Sequence, residues 1–263
     1  MDGGLKPRHW AALGLLALGP LLAGLWLLRG LPDPRPLRDH AWVRQRFNLG
    51  AWTPLDAVAP VAVRAVLISE DDTFYRHHGV RVDELGAAAW DDLLSLRYKR
   101  GASSLTQQVV KNAFLGPQKT LLRKVRELVL ARQADAAVGK RRLLEDYLNL
   151  AEWGPHRQRG IAYAAQACFG KDPAQLDARE GALLAWLLPD PHRRCLWVQR
   201  GELPRRARLH VARVLDRLEA EGALPAGQAA VLAARPFAFE RRPAALAPAA
   251  LTADDDDLGD DEP

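Results

Sequence analysis

Residues 69–79 read SEDDTFYRHHG: three acids, two aromatics and two adjacent histidines in eleven positions. The stretch follows VAVRAVLI (residues 61–68), an apolar run that predicts a buried helix. Glu70 then stands where that helix leaves the core. A carboxylate at such an edge can have a raised pKa and serve as a base. Phe74 and Tyr75 read as packing residues. Adjacent histidines cannot both face one metal from a regular helix or strand, so a metal site at His77 and His78 is disfavoured. A solvated loop remains the plainest alternative.

Two further stretches carry chemistry. GASSLTQQVVKN (residues 101–112) leads small polar residues into a helix, with Ser104 and Gln107 spaced as a capping box. The free N–H groups of such an end can hold an anion, and Gln107 and Lys111 lie one turn apart. In TLLRKVRELVLARQ (residues 120–133), Leu121, Leu122, Val125, Leu128 and Val129 share one helix face. Arg123, Lys124 and Glu127 share another. Taken singly, a capped surface helix and a solvated charged face explain these two patterns better than function does.

The chain has 263 residues and a net charge of +5. Its last ten residues, DDDDLGDDEP, hold seven acids; without those seven charges the remainder stands at +12. A basic body suits an anionic partner. Cys168 and Cys195 have no zinc-like or redox spacing, and a disulfide between them is not expected. Residues 10–28 (WAALGLLALGPLLAGLWLL) are nineteen positions without a charge, long enough for a transmembrane helix, with Trp10 and Trp26 near its ends. A cleaved signal peptide is the rival reading, but no small-residue cleavage site follows. Cations flank the run on both sides, so charge alone does not orient it.

The organisation expected is a short N-terminus (1–9), the anchor (10–28), a Pro- and Arg-rich connection (29–56), a helical domain (57–240) and a disordered Ala/Pro and acidic tail (241–263). The fold class is mainly α, since periodicity is helical nearly throughout and no alternating strand is found. Gly139 is the expected stop of the long helix after Thr120.

Together and in this order the motifs resemble those of the peptidoglycan glycosyltransferases of family 51. The first resembles E-D-x-x-F-x-x-H-x-G, in Glu70, Asp71, Phe74, His77 and Gly79. The second resembles G-G-S-T-x-T-Q-Q-x-x-K-N, with Ala102 and Ser104 as departures. The third is similar to R-K-x-x-E, in Arg123, Lys124 and Glu127. LLEDYLNLAEWG (residues 143–154) with AAQACFGK (residues 164–171), and EGALLAWLLPDPHR (residues 180–193), resemble the fourth and fifth. The likeness covers about residues 55–235. WGPHRQRGI (residues 153–161) departs from the family's glycine- and aromatic-rich loop, and Cys168 from a place that is commonly aromatic.

That resemblance implies a lysozyme-like helical glycosyltransferase domain of the monofunctional type, behind one transmembrane helix. It implies a hexosyltransferase that polymerises lipid II into glycan strands, with inversion at the donor's anomeric carbon and release of polyprenyl pyrophosphate. Glu70 would be the general base, and Asp71 would hold nearby cationic groups. Lys111, Arg123 and Lys124 would bind the departing pyrophosphate. Glu127 would orient those cations or hold the acceptor's pyrophosphate through a divalent ion. Ser103, Gln107, Gln108 and Asn112 would contact sugars and phosphates. No metal is required, with Mg or Mn an optional cofactor. The implied partners are lipid II, the growing glycan chain, the bacterial cytoplasmic membrane and other cell-wall synthesis proteins. The implied place is the inner membrane, single-pass, with the catalytic domain on the periplasmic side. Segment 81–100 is expected to be mobile over the donor site. Asp72 and His78 fall at variable places in the motif. The rivals are a lytic hydrolase of finished glycan, disfavoured by the basic third motif, and a silent anchor, disfavoured by the intact charged residues. Nucleic-acid binding is the third reading, opposed by the membrane anchor and by the lack of a recognisable module.

Overall fold

The computed structural model describes residues 18, 19, 22, 24, 29–81, 103–116, 118 and 120–241. The apolar run 10–28, segment 81–100 and the tail 241–263 lie almost wholly outside them. Leu18, Gly19, Leu22 and Gly24 are described, and each is helical. Among the described residues no helix is long and apolar enough to cross a membrane.

Among the described residues the domain is helical and has no strand; one isolated bridge joins Glu152 and Arg159. The helices are α1 (His40–Phe47), α2 (Pro60–Glu70), α3 (Leu105–Phe114), α4 (Leu121–Val138), α5 (Lys140–Leu150), α6 (Ile161–Phe169), α7 (Ala178–Leu187), α8 (Pro191–Arg200), α9 (Arg205–Ala220) and α10 (Gln228–Ala234).

All ten residues of α7 are buried, so it is the central rod of the fold. Its sequence explains this: AREGALLAWL is apolar on nearly every side, as a helix surrounded by others must be. Its two charges are both engaged. Arg179 donates to the Arg235 carbonyl at 2.6 Å, and Glu180 pairs with Lys171 at 2.7 Å. Helix α2 lies along α7, and α9 covers both. The approach is close because Gly181 faces Ala62: a Cβ there would meet the Ala62 Cα at 2.6 Å. A second group forms where α3 packs on α4 and α5. Helix α2 begins with Pro60 at its first turn and ends at Asp71, so its last residue, Glu70, arrives at the second group.

Residues 29–56 do more than connect. Asp39 caps α1 by accepting from the Ala41 N–H at 2.8 Å, and Leu37 and Val43 are fully buried. Arg142 donates to the Leu37 carbonyl at 2.9 Å, and Arg126 donates to the Arg29 carbonyl at 2.8 Å. Asn149, from the fourth motif, clamps the same stretch. Its amide accepts from the Thr53 N–H and donates to the Thr53 carbonyl, both at 2.9 Å.

The amphipathic face of α4 is inverted over its first turns. Leu121 is 41% exposed, whereas Glu127 is 1% exposed and continues the buried line of Leu130, Ala131 and Ala134. The charged side of α4 faces inward. Gly139, with φ +86, ends α4 as its position predicted and opens α5.

Candidate active site

The first motif is a turn folded back on the end of α2. Asp71 is 1% exposed, and both its oxygens lie 3.0 Å from His77 Nε2. One of them also accepts the Leu105 N–H, the first of α3, at 2.8 Å. A carboxylate at a helix N-terminus satisfies an otherwise unpartnered donor and the helix dipole together. The partners of Asp71 are therefore His77 and a backbone amide, not the cations of α4. Phe74 is buried edge-on to His77, and Lys140 Nζ sits 4.5 Å from its ring centre. Gly79 has φ +81, and a Cβ there would lie 2.4 Å from the Ala131 carbonyl oxygen. Only glycine fits, both for backbone conformation and for space. Ser104 Oγ donates to the Gly79 carbonyl at 2.6 Å, which joins the first motif to the second. Asp72 pairs with Arg217 at 3.0 Å on the surface, and His78 is largely exposed.

The capping box at the start of α3 forms as its sequence predicted. Gln107 N–H donates to Ser104 Oγ, and the Ser104 N–H donates to Gln107 Oε1. The other end of the Gln107 amide donates to Glu127 at 3.1 Å. Gln107 is thus buried with both ends held by protein. Its neighbour Gln108 is half-buried and donates to Glu70 Oε2 at 3.0 Å.

Glu127 is surrounded by donors. Lys124 Nζ lies 2.6 Å from one oxygen and Arg123 2.8 Å from the other. Lys124 also donates to Ser103 at 2.9 Å. The structure thereby gathers Ser103, Gln107, Arg123, Lys124 and Glu127 into one network. Lys111 is half-buried on α3. Burial pulls its ammonium below the usual range; the charges of Glu127 and Glu70 oppose this, and those of Arg123 and Lys124 add to it. Lys111 therefore lies in the field of both carboxylates. Asn112 is half-buried beside it.

Burial pushes the Glu70 carboxyl above the usual carboxylate range. Hydrogen bonds from Gln108 and Tyr147 oppose that rise, as do the charges of Lys111 and Arg194. Neither Tyr147 nor Arg194 stood out in the sequence. Tyr147 belongs to an apolar face of α5 and reads as packing. Arg194, on α8, lies just past the stretch that resembles the fifth motif, and its guanidinium stacks 4.7 Å from the Trp186 ring centre.

A desolvated carboxylate held by neutral donors, with cations gathered a helix away, suits transfer of a group from an anionic leaving group. The carboxylate can take a proton, and the cations can stabilise charge as the leaving group departs. The transglycosylase family matches residues 40–219 of the chain. Proteins named biosynthetic peptidoglycan transglycosylase are similar over most of their length. The one from Nitrobacter hamburgensis is 45% identical over 70% of this chain and 80% of its own. Those from Nitrobacter winogradskyi and Brucella suis are 40% and 42% identical, over 74% and 67% of this chain and 84% and 80% of theirs. The chain belongs to the transglycosylase family.

Proposed function

We propose that this protein is a peptidoglycan glycosyltransferase that polymerises lipid II into glycan strands at the cell envelope. The observation that supports the reading is that Lys111, on α3, lies in the field of both Glu70 and Glu127, and that Glu127 holds Arg123 and Lys124. The growing chain, carried on polyprenyl pyrophosphate, is the donor, and the 4-hydroxyl of a new lipid II attacks its anomeric carbon with inversion. Glu70 takes the hydroxyl proton. Positioned base catalysis of this kind contributes about 10²–10⁴-fold. A pyrophosphate leaves as a stable anion, so the departing oxygen needs positive charge rather than a strong general acid. Lys111, Arg123 and Lys124 supply that charge, Ser103 accepts from Lys124, and Asn112 follows Lys111 in the chain. Glu127 holds the cations in register. Its oxygens already receive Gln107, Arg123 and Lys124, a donor set that suits an ion-pair anchor better than a ligand to Mg or Mn.

The run at residues 10–28 is proposed as a single transmembrane anchor, with the catalytic domain on the outer side of the cytoplasmic membrane. The exposed Leu121, two positions before Arg123 at the start of α4, supports a site that works at a lipid surface. A lytic reaction on finished glycan is the second reading, and the cation cluster disfavours it.

The deciding experiment gives the full chain in detergent fluorescent lipid II, beside Glu70→Gln. A ladder of long glycans from the wild type and none from Glu70→Gln is the expected result. Equal ladders would overturn the assignment of Glu70. Fragments released from purified cell wall, with no ladder, would favour the lytic reading.

A further inference from the structure

Tyr147 is 1% exposed, on the inner face of α5. Its hydroxyl donates to Glu70 Oε2 at 3.4 Å, and Gln108 Nε2 donates to the same oxygen at 3.0 Å. Among the described residues, no hydrogen bond reaches Glu70 Oε1. Two donors from two different helices therefore converge on one oxygen of a flexible side chain. Because Glu70 is the last residue of α2, its carboxylate would otherwise swing through several rotamers.

We infer that Tyr147 and Gln108 clamp one oxygen of Glu70, leaving the other as the atom that receives the acceptor's proton, so that Tyr147 is a positioning residue for the base. The inference rests on the reading of Glu70 as the base. In the step, the acceptor O–H bond breaks and its proton passes to Glu70 Oε1. The oxygen's electron pair forms the bond to the anomeric carbon, and the C–O bond to pyrophosphate breaks with its pair leaving on the phosphate.

The clamp survives that transfer. Once Oε1 is protonated, Oε2 becomes the carbonyl oxygen of a neutral acid, which still accepts from both donors. Protonation on Oε2 instead would set the new proton against two donors already aimed there. Tyr147 is also fixed in its role: burial and the neighbouring Glu70 charge keep its phenol protonated well above the usual tyrosine range. The 3.4 Å contact is long, as catalytic hydrogen bonds often are before substrate tightens them.

The test measures kcat and KM for fluorescent lipid II across pH, using full-length Tyr147→Phe and Gln108→Met in detergent, with thermal melting as a check on folding. Tyr147→Phe is expected to keep KM and lose about tenfold in kcat, the low end for one hydrogen bond to a charged group. Its acid limb should move to higher pH, because a donor that stabilises the charged carboxylate is gone. The double variant should move it further. A merely structural role for Tyr147 would not move that limb. An unmoved acid limb in a folded Tyr147→Phe overturns the clamp, as does a raised KM with kcat intact. If Tyr147→Phe melts early, Gln108→Met decides alone by the same criterion. Glu70→Gln separates the two readings. If it polymerises normally, the base assignment fails and the clamp with it. If it is dead while the Tyr147→Phe and Gln108→Met profiles stay put, only the clamp fails.

Discussion

Asp71 and Leu105 are 34 positions apart, and the carboxylate of one accepts the backbone N–H of the other at 2.8 Å. This bond makes the end of α2 and the start of α3 one rigid corner, so Glu70 and Lys111 are placed by the same joint. Asp71→Ala should destabilise the protein by roughly 2–4 kcal/mol, because a buried amide and a buried imidazole lose their acceptor together. Asp71→Asn, which can still accept from Leu105, should lose less. Urea unfolding of both variants checks this, and an Ala variant within experimental error of the wild type would count against the joint.

The rate of polymerisation should follow a narrow bell in pH. As the proposed base, Glu70 would have to be ionised, and burial raises its pKa, so activity should fall on acidification at a pH above the ordinary glutamate value of 4.5. In its proposed role at the pyrophosphate Lys111 would have to be charged, and burial lowers its pKa, so the alkaline limb should lie below the ordinary lysine value of 10.5. Lys111→Arg, which does not titrate in this range, should push the alkaline limb outward and leave the acid limb in place. A kcat/KM profile with both limbs at their ordinary positions would contradict this.

Removing Glu127 should harm the cations more than the base. Glu127→Ala leaves Arg123 and Lys124 close together without the carboxylate between them, and should cost on the order of 10²-fold or more in kcat/KM. Because Glu127 also supports the charge of Lys111, residual activity should show an alkaline limb shifted to lower pH. The same profile that reports Lys111→Arg reads this out, and an unshifted limb would separate Glu127 from Lys111.

Asp146 offers a prediction about stability alone. It is fully buried on α5, and Arg142 faces it at 3.0 Å without hydrogen-bonding alignment. Burial, with Glu145 nearby, outweighs Arg142 and raises the Asp146 carboxyl to about 7. The folded state then holds this proton more tightly than the unfolded state. Its stabilising effect is full below about 4 and is lost as pH rises to about 7. Asp146→Asn should flatten that slope and add on the order of 2–4 kcal/mol above pH 7. Melting curves at pH 5 and pH 8 test it; a variant less stable than wild type at pH 8 would show that Arg142 needs the charge.

Gly181→Ala should be among the costliest single-methyl changes in the chain. The added carbon would meet the Ala62 Cα at 2.6 Å and its carbonyl oxygen at 2.9 Å, both backbone atoms. Helices α2 and α7 must separate to admit it, at about 1–3 kcal/mol or more. A melting temperature equal to wild type would mean that the two helices are not in firm contact.

Much of this arrangement was legible in the chain. The apolar run before Glu70, the Ser104–Gln107 spacing and Gly139 each have local causes, and local causes are readable. What escaped had tertiary causes. The charged side of α4 looked solvent-facing because solvation is the common fate of charge; here Glu127 is buried with its counter-ions around it. Helix α1 offers only Trp42, Val43 and Phe47 among eight residues, too short a pattern to show a period. Pro191 occupies the first turn of α8, where its missing N–H costs nothing. Tyr147 carried no signal of its own, since a hydroxyl aimed at Glu70 from another helix leaves no trace in spacing.

The bond from Arg126 to the Arg29 carbonyl lies one turn from Arg123. On the proposed anchor, a chain leaving a bilayer at residue 28 would be fastened to the cation-bearing helix at its next residue. The enzyme would then be moored rather than leashed, with little slack in which to swing toward distant substrate. Both reactants would be confined to a plane, one by its anchor and the other by its lipid. Turnover should therefore answer to surface density: diluting lipid II with inert bilayer lipid, at constant bulk concentration, should slow it.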